Sequence, residues 1–135
     1  HWENNRSLNL DAPLLLIEYL ASNSQNALVI NMLDTRISQN KSEYFSYTLS
    51  KKALENLTYM SANALAPKIR VVGIALGILL PPEGMEWDAM KEKIDNTPLA
   101  TAPTLEHFRS TLDYLIYTSC ITGQIIYLNG GEHLN

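Results

Sequence analysis

Tyr47 and Lys51 stand four residues apart in Tyr-Thr-Leu-Ser-Lys, a spacing that puts both side chains on one face of a helix. An ammonium beside a phenol favours the phenolate and lowers the tyrosine pKa. A phenol so tuned can give or take a proton near neutral pH. The same pair also arises as ordinary exposed helix neighbours, so the surroundings must decide between the two. Asp34 follows the apolar run Ala-Leu-Val-Ile-Asn-Met-Leu at residues 27–33. Taken alone it is equally a loop carboxylate or a helix cap. Asn9 lies in an earlier helical segment, and Gly77 follows a second apolar run. Sites in a parallel sheet form at the carboxyl ends of the strands, so Asn9, Asp34, Tyr47, Lys51 and Gly77 can converge on one crevice.

The elements that must position these residues are legible from periodicity. Residues 2–20 read as a helix, with Leu8, Ala12, Leu15, Leu16 and Tyr19 at three- and four-residue spacing and Pro13 kinking it or capping its second half. Residues 27–33 read as a strand buried on both faces, and 34–42 as a polar loop. Residues 43–65 form the longest helical pattern, with Ala53, Leu57, Met60 and Ala64 in one stripe and Leu54, Ser61 and Leu65 beside it. No charge follows Glu55, so most of its girth is expected to be covered. Pro67 stops it. Residues 69–75 are a second buried strand. Residues 76–103 are a long connection carrying Pro81, Pro82, Pro98 and Pro103, with a short helix at about 87–94. A loop of that length is expected to act as a lid or substrate-binding loop. Thr104 is a helix N-cap with Glu106 following, and the helix runs to about residue 117. Residues 124–128 are a third strand, and Asn129-Gly130-Gly131 turns away. Alternating strands and helices give an α/β class with a parallel sheet; three strands make it thin, with an exposed edge.

Composition narrows the function. The chain has 135 residues, 46% apolar and 18% charged, with a formal net charge of −4. That excludes a disordered chain and leaves no basic footprint for nucleic acid. The lone Cys120 excludes an internal disulfide and a Cys-based zinc site, and no spacing among the three histidines suggests a metal. The longest apolar run, residues 71–82, falls short of the roughly 20 residues that span a bilayer. No secretory signal is visible, so a cytoplasmic protein without membrane partners is expected. His107 reads as an exposed residue near a helix start and His133 as a tail residue. Met85 and Trp87 read as packing within the long loop.

Five segments together resemble the short-chain dehydrogenase/reductases. Asn9-Leu-Asp-Ala-Pro13 resembles that family's helix asparagine segment. Ala27-Leu-Val-Ile-Asn-Met-Leu-Asp34 is similar to the strand that ends at the catalytic serine position. Tyr47-xxx-Lys51 matches the catalytic pair. Ile69-Arg-Val-Val-Gly-Ile-Ala-Leu-Gly77 resembles the strand leading to the Pro-Gly cofactor turn, and Thr122-Gly-Gln-Ile-Ile-Tyr-Leu-Asn-Gly-Gly131 the closing strand and its Gly-Gly turn. Aspartate at the serine position, with Leu33-Asp34-Thr35-Arg36 and the ending Gly130-Gly131-Glu132-His133-Leu134, is similar to the pteridine reductase and dihydromonapterin reductase branch. Leu76 stands where the family has proline, so the turn beside the nicotinamide is expected to be less rigid. Asn129 stands where aspartate is usual, a change expected to matter little.

The resemblance implies a Rossmann-type sheet with flanking helices, of which this chain supplies the last three strands. The Gly-rich phosphate turn and the residues that select NADPH over NADH would lie upstream, so residues 1–135 are expected to be the carboxyl-terminal half of a single domain. The implied activity is NADPH-dependent reduction of a pterin C=N bond, with NADH left open. Tyr47 would be the general acid. Lys51 would lower its pKa and hydrogen-bond the nicotinamide ribose. Asp34 would contact the substrate ring and relay a proton, and Asn9 would hold a water path or helix geometry behind Lys51. Gly77, Ile78 and Leu79 would meet the cofactor through their backbone. Two other readings remain: a carbonyl or 3-oxoacyl reductase of the same family, and a non-catalytic structural or oligomerisation fragment. A homo-oligomer is implied, a tetramer built on the helices at 2–20 and 43–65.

Overall fold

The chain's most continuously apolar strand becomes the middle of the sheet. In the computed structural model, which describes residues 1–135, Ile69–Leu76 (β2) lies between Ala27–Asp34 (β1) and Ile125–Leu128 (β3), and both pairings are parallel. Successive strand side chains point to opposite faces. Ile69, Val71 and Ala75 pack toward helix α3 (Phe45–Leu65), meeting Leu54 and Ala62. Val72 and Ile74 pack on the other face against Leu115 of helix α5 (Leu105–Tyr117). Each of the isoleucine, valine and leucine side chains among these, fully buried, contributes roughly 1.5–3 kcal/mol. Gly73 belongs to the α3 face, where a Cβ would fall 2.6 Å from both Leu33 Cδ1 and Ile125 Cδ1; its missing side chain lets the outer strands fill the space above β2.

Strand β1 is an edge strand and mostly half-buried, so the expectation of burial on both faces holds for β2 and not for β1. A free edge exposes the flank that a neighbouring strand would otherwise cover.

The first helical segment is longer and less regular than its periodicity predicts. It comprises α1 (Trp2–Arg6), a π turn (Ser7–Asp11) and α2 (Ala12–Asn23). Pro13 supplies the reason. A proline lacks the N–H that would bond the carbonyl four residues back, here Asn9, and its ring crowds that carbonyl. The widened turn contains Asn9 and accommodates the conflict, with Pro13 in the first turn of α2.

Helix α3 also differs from the expected stripe. Its buried face carries Thr48, Ser50, Leu54, Thr58, Ser61 and Ala62, while Met60 and Ala64 face outward. Hydroxyl side chains are buried because each hydroxyl can bond its own helix. Thr58 donates to the Leu54 carbonyl (2.8 Å) and accepts from Asn31 Nδ2 of β1 (2.9 Å). Hydropathy alone ranks Met60 above Thr58; the geometry of the sheet ranks them the other way.

The long connection contains the short helix α4 (Trp87–Asp95), which leaves Met85 and Trp87 about half exposed rather than packed. Helix α5 begins at the expected Thr104 cap, but its reciprocal partner is His107, whose Nδ1 accepts from the Thr104 amide, and not Glu106. A last 3₁₀ turn spans Glu132–Leu134. No helix is long and apolar enough to cross a membrane.

Arg70 is the one charge in β2, and it closes α5. Its guanidinium donates to the carbonyls of Leu115, Ile116, Thr118 and Ile121 at 3.1–3.3 Å. A cation there satisfies carbonyls left over at a helix C-terminus and opposes the negative end of its dipole. Arg70→Met is therefore expected to lower stability by about 1–3 kcal/mol, read as a fall in the urea midpoint, with Arg70→Lys in between.

Candidate active site

The three strands end level with one another. Asp34 pairs with Leu76, and Leu76 with Leu128, so Asp34, Leu76 and Leu128 form one rung at the carboxyl edge. The backbone extends past this rung, and Asp34 serves as the N-cap of a 3₁₀ turn (Thr35–Ser38). Its Oδ1 accepts from the Arg36 amide at 2.8 Å, and its Oδ2 accepts from the Tyr47 hydroxyl at 3.0 Å. The cap and the site are thus one carboxylate used twice. The cap fixes one oxygen, and the other is left to face Tyr47.

Tyr47 and Lys51 share the face of α3 that meets β1. Lys51 Nζ donates to the Met32 carbonyl of β1 at 2.7 Å and lies 5.8 Å from the Tyr47 ring centroid. The Tyr47 pKa departs from the sequence expectation. Burial pushes the phenol well above its ordinary value, and the neighbouring Asp34 charge and hydrogen bond push it further; the Arg36 charge opposes them. Tyr47 is therefore held protonated rather than tuned toward phenolate. Burial lowers the Lys51 pKa, partly countered by the negative charge of Asp34.

Asn9 reaches α3 one residue before Lys51. Its Nδ2 donates to Ser50 Oγ at 3.0 Å, and Ser50 Oγ donates to the Tyr47 carbonyl at 2.7 Å. The π turn around Asn9 thereby braces the turn of α3 that carries Tyr47 and Lys51. Asn9 and Lys51 also line a groove of about 680 Å³ between α2 and the free edge of β1.

Gly77 follows β2, and its amide donates to the Leu128 carbonyl at 3.0 Å. A Cβ there would meet Asn129 Cβ at 2.9 Å and Glu132 Oε2 at 3.2 Å. Glycine is thus required by the chain's own packing, whatever else approaches this turn. Ile78 lines the cavity described next and Leu79 does not, although both lie in the segment that follows the rung. Their amides make no hydrogen bond within the chain.

Asn129, expected to matter little, is a buried hub. Its Nδ2 donates to Thr35 Oγ1 at 2.6 Å, and its Oδ1 accepts from the Gly131 amide at 3.0 Å and lies 3.1 Å from His133 Nδ1. The His133 ring stacks on Tyr127. His133 is therefore built into the terminal turn.

Asp34, Arg36, Tyr44, Ile78, Met90 and Glu132 are among the residues around a cavity of about 330 Å³ at this carboxyl edge. Sequence reasoning missed several of them. Lys93 of α4 pairs with the mostly buried Glu132 at 2.9 Å, tying the long connection to the terminal turn. The Arg36 guanidinium lies over the Tyr44 ring, 4.4 Å from its centroid. Tyr44 itself adopts a left-handed backbone (φ 55°, ψ 37°) just before α3, at a cost of roughly 1–2 kcal/mol for a residue with a Cβ. Tyr44 lies three residues before Tyr47, so helical spacing offered a signal for it; Lys93 and Glu132 are distant in sequence and offered none.

The order of these elements agrees with comparison to known families. A model of the family described as enoyl-(acyl carrier protein) reductase matches residues 1–133. The chain belongs to this family, within the short-chain dehydrogenase/reductases. Among curated relatives, dihydromonapterin reductase of Escherichia coli strain 536 is 29% identical over 106 residues, covering 78% of this chain and 44% of that protein. The corresponding protein of Citrobacter koseri is 28% identical over the same length. Among solved structures, FolM alternative dihydrofolate reductase 1 from Brucella suis, in complex with NADP, is 39% identical with a TM-score of 0.94. That match covers 99% of this chain and 56% of the other. A short-chain dehydrogenase/reductase from Burkholderia xenovorans, 22% identical with a TM-score of 0.81, shares the fold. The chain spans about half the length of the relatives it matches.

In this short-chain dehydrogenase/reductase the Asp34 contact has a direct spectroscopic consequence. Asp34→Asn removes a negative charge that disfavours the Tyr47 phenolate. The Tyr47 titration, followed by the Cζ carbon resonance of labelled tyrosine, is expected to move down toward the ordinary tyrosine range; an unmoved titration would show that burial alone holds it up.

Proposed function

We propose that the reductase containing this chain uses NADPH to reduce a pterin-type C=N bond, and that Tyr47, Asp34 and Lys51 form its proton-handling site. The observation that carries this reading is the 3.0 Å hydrogen bond from Tyr47 to Asp34 at the carboxyl edge of the sheet. Reducing C=N requires hydride at carbon and a proton at ring nitrogen. Bound NADPH supplies the hydride. Tyr47, kept protonated by burial and by Asp34, supplies the proton from its hydroxyl to the ring nitrogen. Asp34 accepts hydrogen bonds from the heterocycle's N–H groups, and after transfer the tyrosinate is reprotonated by a proton taken from solvent and relayed through the Asp34 carboxyl. Lys51 offsets the phenolate charge as it develops.

The residues present suit a dinucleotide. Lys51 has an ammonium with one donor engaged by Met32 and others free for ribose hydroxyls. The unpaired amides of Ile78 and Leu79 offer donors past the end of β2. Asn9 acts through Ser50 to hold this turn of α3. The segment 76–103 forms the substrate-side wall of the site. Names of the relatives support the substrate class: dihydromonapterin reductase at 29% identity and alternative dihydrofolate reductase in complex with NADP at 39%. We further read the exposed Leu15, Leu16, Tyr19 and Met60 of α2 and α3 as contacts within a homo-oligomer, and place the enzyme in the cytoplasm.

Tyr47→Phe in the full-length enzyme is expected to lower turnover of dihydromonapterin with NADPH by about 10²–10⁴-fold with little loss of cofactor binding. Near-normal turnover would overturn the assignment. A ketone or 3-oxoacyl substrate reduced faster than any pterin would favour a carbonyl reductase instead.

A further inference from the structure

The cavity at the carboxyl edge contains an unpaired cation. Arg36 is half-buried beside Asp34 and lines the same cavity. No carboxylate lies within ion-pair distance of its guanidinium, and its side chain donates no hydrogen bond within the chain. The other cation on the cavity wall, Lys93, is already paired with Glu132. The Arg36 side chain is nevertheless placed rather than free, because its guanidinium carbon lies over the Tyr44 ring, 4.4 Å from its centroid. Tyr44 is presented to the cavity by the left-handed backbone at the start of α3. A half-buried guanidinium with no internal acceptor is matched by a ligand that brings an anion.

We propose that Arg36, stacked on Tyr44, is a specificity-determining residue that recognises a carboxylate on the substrate's substituent. The site would then favour a reduced pterin with an aromatic, carboxylated tail over one with a neutral polyol tail. Dihydrofolate carries such a tail; dihydromonapterin carries hydroxyls only. The inference rests on the pterin reading above and selects between the substrate types that the names of the two relatives imply. The tail's arene suits the apolar side chains of Met85 and Met90, which also line the cavity, and its carboxylates suit the only guanidinium there.

The test compares both substrates with NADPH in the full-length enzyme. Arg36→Leu is expected to lower the ratio of kcat/KM for dihydrofolate to kcat/KM for dihydromonapterin at least about tenfold, mainly through the KM for dihydrofolate. Arg36→Lys, which keeps the charge and loses the flat fork, should retain part of that ratio. An unchanged ratio, or an equal fall for both substrates, overturns the role of Arg36 while leaving the pterin reading intact. If the unsubstituted enzyme reduces neither pterin, the pterin reading fails and this inference with it.

Discussion

The site depends on one hydrogen bond that crosses the sheet. Thr35 follows β1 and Asn129 follows β3, and between them lies the backbone of Gly77, the residue that follows β2. Neighbouring strands are about 4.8 Å apart, so side chains from the two outer strands can meet only above the middle one. Asn129 Nδ2 and Thr35 Oγ1 are 2.6 Å apart, and the space that a Gly77 side chain would need is filled by Asn129. Any side chain at residue 77 would enter this bridge. The bridge in turn fixes Thr35, the residue after Asp34, and so fixes where the carboxylate can point. A buried amide is well matched to this task. It offers a donor to Thr35 and an acceptor to the Gly131 amide, with no charge to desolvate.

Helix α3 is set against this carboxylate by two further ties. Lys51 binds the Met32 carbonyl, and Asn9 binds Ser50. Together they fix the turn that includes Tyr47 to the end of β1 and to the π turn before α2. The Tyr47–Asp34 contact is then the result of a braced arrangement rather than of two flexible side chains finding one another. Its electrostatic effect follows from burial: in a low-dielectric setting a carboxylate beside a phenol opposes phenolate formation more strongly than it would in water.

Much of this was legible in the sequence because periodicity reports which elements exist. The three strands, α3 and α5 stand near where apolar runs, Pro67 and Thr104 predict them. Asp34 and Tyr47 meet because a strand end and the following helix are close in any parallel unit of this kind. What escaped were effects that depend on distant pairs. Asn129 looks like a neutral exchange for aspartate until Thr35, far away in sequence, is seen beside it. Arg70 looks like a flaw in an apolar strand until the end of α5 is placed over it. Helical spacing points to Lys51 lowering the Tyr47 pKa, whereas burial and Asp34, thirteen residues away, dominate and raise it.

The buried face of α3 shows how sheet packing and site geometry constrain the same residues. A helix that must bring a tyrosine hydroxyl to the edge of a strand has to lie close to that strand, which favours small side chains at the contact. Ser50, Thr58, Ser61 and Ala62 meet that need, and a leucine or methionine at those positions would hold the helix away. Small hydroxyl residues bring polar atoms into the core, yet here they add little cost. Ser50 donates to the Tyr47 carbonyl and Thr58 to the Leu54 carbonyl, and no buried side-chain polar atom lacks a partner. Their remaining acceptor capacity takes Asn9 and Asn31, one from the π turn and one from β1. The hydroxyls that permit close packing therefore also bind the elements that aim Tyr47 and Lys51. A purely apolar α3 of the same length could bury as much surface and would lose that aim.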